Sequence, residues 1–210
     1  MILEKHFMSK AKTKKRAFIE WSLIIGVFIF LNQTSYGTLL QSWFQRGVLM
    51  TGLMTPDTTL FEERSIDASY NLRLVGLSDG EQISLDHFRG QTIFMNIWAT
   101  WCPPCLAEMP LIQDLYEELK SKNIAFVMIS TDDSAETARA YFEKKNFTLP
   151  AYMLAGPLPE LYSSQVLPTT YVISPDGKLV IRHVGMANYN SDSFRTFLLS
   201  LSAEPAISRR

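Results

Sequence analysis

The sequence predicts an α/β domain carried behind one N-terminal membrane helix, and three observations carry that prediction. An apolar run from Ile93 to Trp98 leads into Trp101-Cys102-Pro103-Pro104-Cys105, which opens an amphipathic run from Leu106 to Leu119, giving strand, dithiol and helix in that order. A second continuous apolar run, Ile124 to Ser130, follows, and after a crossover helix it should lie parallel to the first strand. Near the chain start, Lys5, Lys10, Lys12, Lys14, Lys15 and Arg16 stand against Glu4 alone, just before a stretch, Ala17 to Leu31, that is apolar except for Glu20 and Ser22.

Taken in order, residues 1–16 form a basic segment placed in the cytoplasm by its charge. The apolar stretch that follows, if helical, rises only about 22 Å, short of a hydrocarbon core of about 30 Å. Continuing it to Leu40 completes a span, so 17–40 is predicted to be a transmembrane signal anchor. The alternative is a cleaved signal peptide, but no small-x-small cleavage site follows the apolar run. Either way the rest of the chain is expected outside the cytoplasm. Without the six basic residues of 1–16, the remainder holds 14 basic residues against 20 acidic ones, a balance that suggests no nucleic-acid-binding face. Residues 41–69 are expected to be a stalk or linker. Trp43, Phe44, Val48, Leu49, Leu53 and Met54 suggest a short helix within it, ended by Pro56.

The globular part, 70–201, should open with a β-hairpin, Tyr70 to Leu77 and Glu81 to Leu85, joined by Ser78-Asp79-Gly80. Gln91 to Trp98 is a strand buried on both faces, with Asn96 its one polar side chain besides Gln91 and Thr92 at its start. Asn96 is either an amide satisfied by backbone or a polar group lying behind the dithiol. In the following helix, Leu106, Met109, Ile112, Leu115 and Leu119 form the buried stripe, and Pro110 should kink it. Thr131-Asp132-Asp133-Ser134 caps a helix from Ala135 to Lys145. A short strand near Pro150 and a short helix over Pro159 to Ser164 precede a strand from Val166 to Ile173 that begins through Pro168. Ser174-Pro175-Asp176-Gly177 turns the chain antiparallel into Lys178 to Gly185, a last helix covers Ser191 to Leu201, and 202–210 is a tail.

Cys102 and Cys105 are the only cysteines, and the histidines His6, His87 and His183 are scattered without ligand spacing, so no metal site and no cofactor are expected. A cysteine at a helix start meets unpaired N–H groups and the positive end of the helix dipole, which stabilise a thiolate. Cys102 is therefore the candidate nucleophile and Cys105, one turn in, the candidate resolving thiol. Pro103 and Pro104 are tolerated because the first helical N–H groups have no intrahelical partner. Glu108, three residues beyond Cys105, is either a solvated surface residue or close enough to exchange protons with the sulfurs. A second cysteine at this spacing suits disulfide exchange better than peroxide reduction.

Asn96-Ile97-Trp98-Ala99-Thr100-Trp101-Cys102-Pro103-Pro104-Cys105, then Glu108-Met109-Pro110, Leu167-Pro168-Thr169-Thr170 and Pro175-Asp176-Gly177 together resemble thioredoxin and, more narrowly, the TlpA/ResA/CcmG-like group of membrane-anchored thiol-disulfide oxidoreductases. The resemblance covers about 70–201. It implies a thioredoxin fold with an N-terminal β-hairpin and a central helix-strand insertion, and a cis Leu167-Pro168 bond. It also implies Cys102, Cys105 and Glu108 as the catalytic set, with Glu108 as the acid-base group, and substrate contacts from Trp101, Pro103, Pro104, Leu167 and Pro168. The partners implied are exported proteins bearing disulfides, apocytochrome c among them, and an integral-membrane thiol electron donor. The domain would then lie on the periplasmic side of a bacterial inner membrane. A disulfide oxidant or isomerase, or a non-catalytic module that binds extended chains, are the competing readings.

Overall fold

The computed structural model describes residues 66–203 continuously and, before them, 21–23, 25–26, 42, 44–49 and 56. The chain divides into two compact units, Met1–Gln41 and Ser42–Arg210. In the first, 21–23 and 25–26 are helical. Among the described residues no helix is long and apolar enough to cross a membrane. Most of the 17–40 segment, where the membrane anchor is expected, lies outside them.

The second unit is built on one mixed sheet. Its strands are β1 (Ile66–Asp67), β2 (Arg73–Gly76), β3 (Gln82–Ser84), β4 (Thr92–Trp98), β5 (Ile124–Ser130), β6 (Ala151–Leu154), β7 (Thr169–Ile173) and β8 (Lys178–Val184). Its described residues include the helical stretch 44–49 and the α-helices α1 (Pro103–Leu119), α2 (Ala135–Lys145) and α3 (Asp192–Ala203). The strand order is β1-β8-β7-β4-β5-β6-β2-β3. β4, β5 and β6 are parallel neighbours, as crossover helices require, and the remaining pairs are antiparallel. α2 and β6 fill the place expected for the helix-strand insertion. The β2-β3 hairpin joins the sheet beyond it through β2, shorter than its sequence suggested. β1, at the opposite edge, pairs with β8 and had no legible signal in two residues.

β4 and β5 are buried along their whole length, and alternation sends their side chains to two faces. Phe94 and Trp98 of β4 join Phe126 and Met128 of β5 beneath α1, α2 and α3. Ile93, Met95 and Ile97 join Val127 and Ile129 on the other face, covered by Tyr70, Leu72, Leu85 and Tyr162. Asn96 falls on the helix side by the same alternation. α2 is delimited by local chemistry: the Ser134 hydroxyl accepts from the Thr137 N–H, and Asn146 ends the helix in the left-handed region at φ 54°.

α1 runs as one element through Pro110, with its sheet-facing stripe buried from Cys105 to Leu119. Leu106 is only partly buried. Met109, Ile112, Leu115 and Leu119 are buried as the apolar pattern predicts, and the same face also takes in Cys105 and Glu108.

Candidate active site

Cys102 is the N-cap of α1. Its backbone is extended, and its Sγ lies 3.3 Å from the Cys105 N–H, which donates to it. Pro103 and Pro104 occupy the first two helical positions. Cys102 and Cys105 are joined as a disulfide, so the structure shows the oxidised form. Cys102 is 4% exposed and Cys105 is fully buried, whereas the neighbouring Trp101 is 64% exposed.

The turn that presents the dithiol is anchored to β5. Asp132 accepts from the Thr100 N–H with both carboxylate oxygens at 3.1 Å and from the Thr100 hydroxyl at 2.7 Å; the Ser130 hydroxyl donates to it as well, at 2.7 Å. The Thr131 N–H closes the same corner on the Trp98 carbonyl, at 2.9 Å. Removing this largely buried carboxylate leaves several donors unpaired. Asp132→Ala is therefore expected to cost about 2–4 kcal/mol of stability. Denaturant unfolding measures it, and a loss below about 0.5 kcal/mol would show that the corner holds without the carboxylate.

Leu167 and Pro168 reach the same end of the sheet from the other side. The bond between them is cis. Thr169 pairs with Ile97 and Thr170 with Asn96, so the start of β7 lies beside the end of β4 from which the dithiol turn departs. The Gly185 N–H donates to the Pro168 carbonyl at 2.8 Å. Val166, just before this turn, is half exposed.

Glu108 is 1% exposed. Spacing alone allowed a solvated surface residue, but the stripe that begins at Cys105 carries this carboxyl into the space between α1 and the sheet. Asn96 Nδ2 donates to Glu108 Oε1 at 2.8 Å and to Thr170 Oγ1 at 2.9 Å, and the Ala187 N–H donates to Glu108 Oε2 at 3.1 Å. Burial pushes the Glu108 carboxyl up to about 8, and these two donors oppose the shift without cancelling it. Asn96 thus lies behind the dithiol and bonds to side chains, not to backbone. The fully buried Tyr189 completes the cluster, its hydroxyl raised well above its ordinary value by burial first and the Glu108 charge second.

Sequence reasoning missed three parts of this cluster. Thr170 was visible only as part of a motif, although alternation from Val172 puts it on the helix side of the sheet. Ala187 contributes through its backbone, and Tyr189 lies in a loop without periodicity; neither carries a sequence signal. Among the described residues no group of His, Cys, Asp or Glu could hold a metal ion.

This constellation can exchange disulfides: a sulfur at a helix start, a shielded second sulfur one turn in, and a buried acid one turn further. Known proteins point the same way. Residues 67–182 match the AhpC/TSA family. The thiol-disulfide oxidoreductase ResA of Oceanobacillus iheyensis is 30% identical over 180 residues, covering 85% of this chain and 87% of its own length. The protein of that name from Bacillus subtilis is 24% identical over 170 residues, covering 80% and 85%. A thioredoxin-family thiol:disulfide interchange protein from Chlorobium tepidum superposes with a TM-score of 0.54 at 25% identity, covering 65% of this chain and 97% of that one.

Proposed function

From the premise that the chain belongs to the AhpC/TSA family and is a thiol-disulfide oxidoreductase of thioredoxin fold, we propose that it acts as a membrane-tethered, exported reductase of protein disulfides. The observation that carries the direction is the Cys102 environment. Pro103 and Pro104 offer the sulfur no N–H, and the donor it meets is the Cys105 amide. Extreme oxidants in this fold over-stabilise the reduced thiolate. Here stabilisation is modest, which favours giving electrons away.

In the proposed cycle the Cys102 thiolate attacks a sulfur of the substrate disulfide. A mixed disulfide forms, and the first substrate sulfur leaves and takes a proton. Cys105 then loses its proton to ionised Glu108, attacks the Cys102 sulfur and releases the second substrate sulfur, to which Glu108 returns the proton. Two electrons pass from the dithiol to the substrate, and Cys102–Cys105 is left oxidised as in the structure. Burial raises the Glu108 carboxyl to about 8, near the operating pH, so it can both take up a proton and give it back. An integral-membrane thiol donor would restore the dithiol, and exported apocytochrome c is the substrate the family resemblance favours.

The reduction potential is expected nearer the value of about −270 mV found for thioredoxin than that of a strong oxidant, about −120 mV. Equilibration with glutathione measures it; a value above about −150 mV would replace the reductase by an oxidant. For the tether, a reporter that works only outside the cytoplasm, fused after Arg210, should be active and remain with the membrane fraction. Recovery of the reporter in the soluble exported fraction would instead indicate a cleaved signal peptide.

A further inference from the structure

Leu49, from the stretch expected to be a stalk, is fully buried. It packs with Ala107 and Leu111 of α1, and Met186 packs against the same cluster. Its carbonyl accepts from Asn188 Nδ2 at 3.3 Å, and Asn188 Oδ1 in turn accepts from the Asn190 N–H at 3.1 Å. Met186 and Asn188 flank Ala187, whose N–H donates to Glu108 Oε2. The two neighbours of the donor are therefore both held by one residue of the helical segment 44–49. The loop between β8 and α3 has no ladder of its own to hold that amide.

We propose that the segment 44–49 is a positioning element of the active site: Leu49 holds Met186 and Asn188, and through them aims the Ala187 amide at Glu108. The inference rests on the reading of Glu108 as the group that exchanges protons with the dithiol. An amide aimed at a carboxyl favours its ionised form, so loosening the brace raises the proton affinity of Glu108. The titratable group that faces Glu108 is Tyr189 from the loop after β8, with the half-buried His183 of β8 edge-on behind it; the cysteines lie one turn earlier on its own helix. β4 and β7 present the uncharged Asn96 and Thr170.

The test uses the full-length, reduced protein in detergent and follows alkylation of Cys102 by iodoacetamide from pH 5 to 10, read by mass spectrometry. Leu49→Ala and Asn188→Ala are compared with the parent and with the conservative Leu49→Met, each with and without Glu108→Gln. The inflection that Glu108→Gln removes should move up by about half to one pH unit in both alanine variants, and Leu49→Met should return it. Asn188→Ala keeps the comparison open should Leu49→Ala fail to fold. A lowered melting temperature with an unmoved inflection would reduce the contact to packing and overturn the inference. A shift that persists beside Glu108→Gln would do the same, since the effect would not run through Glu108. Absence of any Glu108-dependent inflection in the parent would instead remove the proton-exchange reading, and the inference with it.

Discussion

Cys102→Ser should lose disulfide exchange by about a thousandfold or more, while Cys105→Ser should keep the first attack and accumulate a mixed disulfide. The asymmetry follows from where α1 places the two sulfurs. Cys102 is at the cap, next to the exposed Trp101, and is the sulfur a substrate can reach; Cys105 is fully enclosed and can attack only a neighbour already bonded to Cys102. Serine at 102 is a poor nucleophile, because an alkoxide is far less accessible than a thiolate at neutral pH. Serine at 105 leaves no thiol to resolve the intermediate. Non-reducing electrophoresis of cells carrying Cys105→Ser should show covalent adducts that disappear on reduction, and mass spectrometry would name the trapped partner. Equal trapping by Cys102→Ser would reverse the roles of the two sulfurs. No adduct from a properly exported Cys105→Ser protein would leave only the module that binds extended chains.

The second large effect is on stability and depends on pH. The folded Glu108 carboxyl titrates near 8 against an ordinary value of 4.5, so between these the folded chain holds a proton that the unfolded chain has released. The stability tied to that proton is fully present below about 4.5 and is lost as pH rises through 8, at about 1.4 kcal/mol per pH unit. The whole window is worth about 4–5 kcal/mol. Glu108→Gln removes it, because the amide does not ionise. Its Nε2 can be accommodated if Asn96 turns its own amide over and presents Oδ1, which has no partner in the observed orientation. The variant should therefore gain on the parent as pH rises, and be the more stable of the two at pH 9. Denaturant unfolding of the oxidised proteins at pH 5, 7 and 9 measures this. Parallel curves for parent and variant would show that burial of Glu108 does not hold its proton.

The parts of the site that sequence made legible are those set by neighbours along the chain. A cysteine before two prolines and an amphipathic run becomes a helix cap, whatever the rest of the fold does, because capping and the missing proline N–H groups act within one turn. The same holds for Ser134 at the start of α2 and for the turn at Gly177, where φ is +84° and a glycine is favoured. Continuous apolar runs marked β4 and β5 as central because a strand covered on both faces has no polar side to show.

What lies behind the dithiol was decided only by the tertiary structure. Glu108 looks like any helix-surface glutamate until α1 packs on the sheet and turns it inward. Its partners then come from β4, from β7 by way of Asn96, and from the loop after β8, as far as 79 residues along the chain. Leu49 likewise shows nothing in sequence of its place beside Ala107 and Met186. A carboxyl's proton affinity depends on its burial and on the few donors within hydrogen-bond reach, and those are properties of the packed chain. Local chain chemistry places the reactive sulfurs; packing sets the acidity of the group beside them.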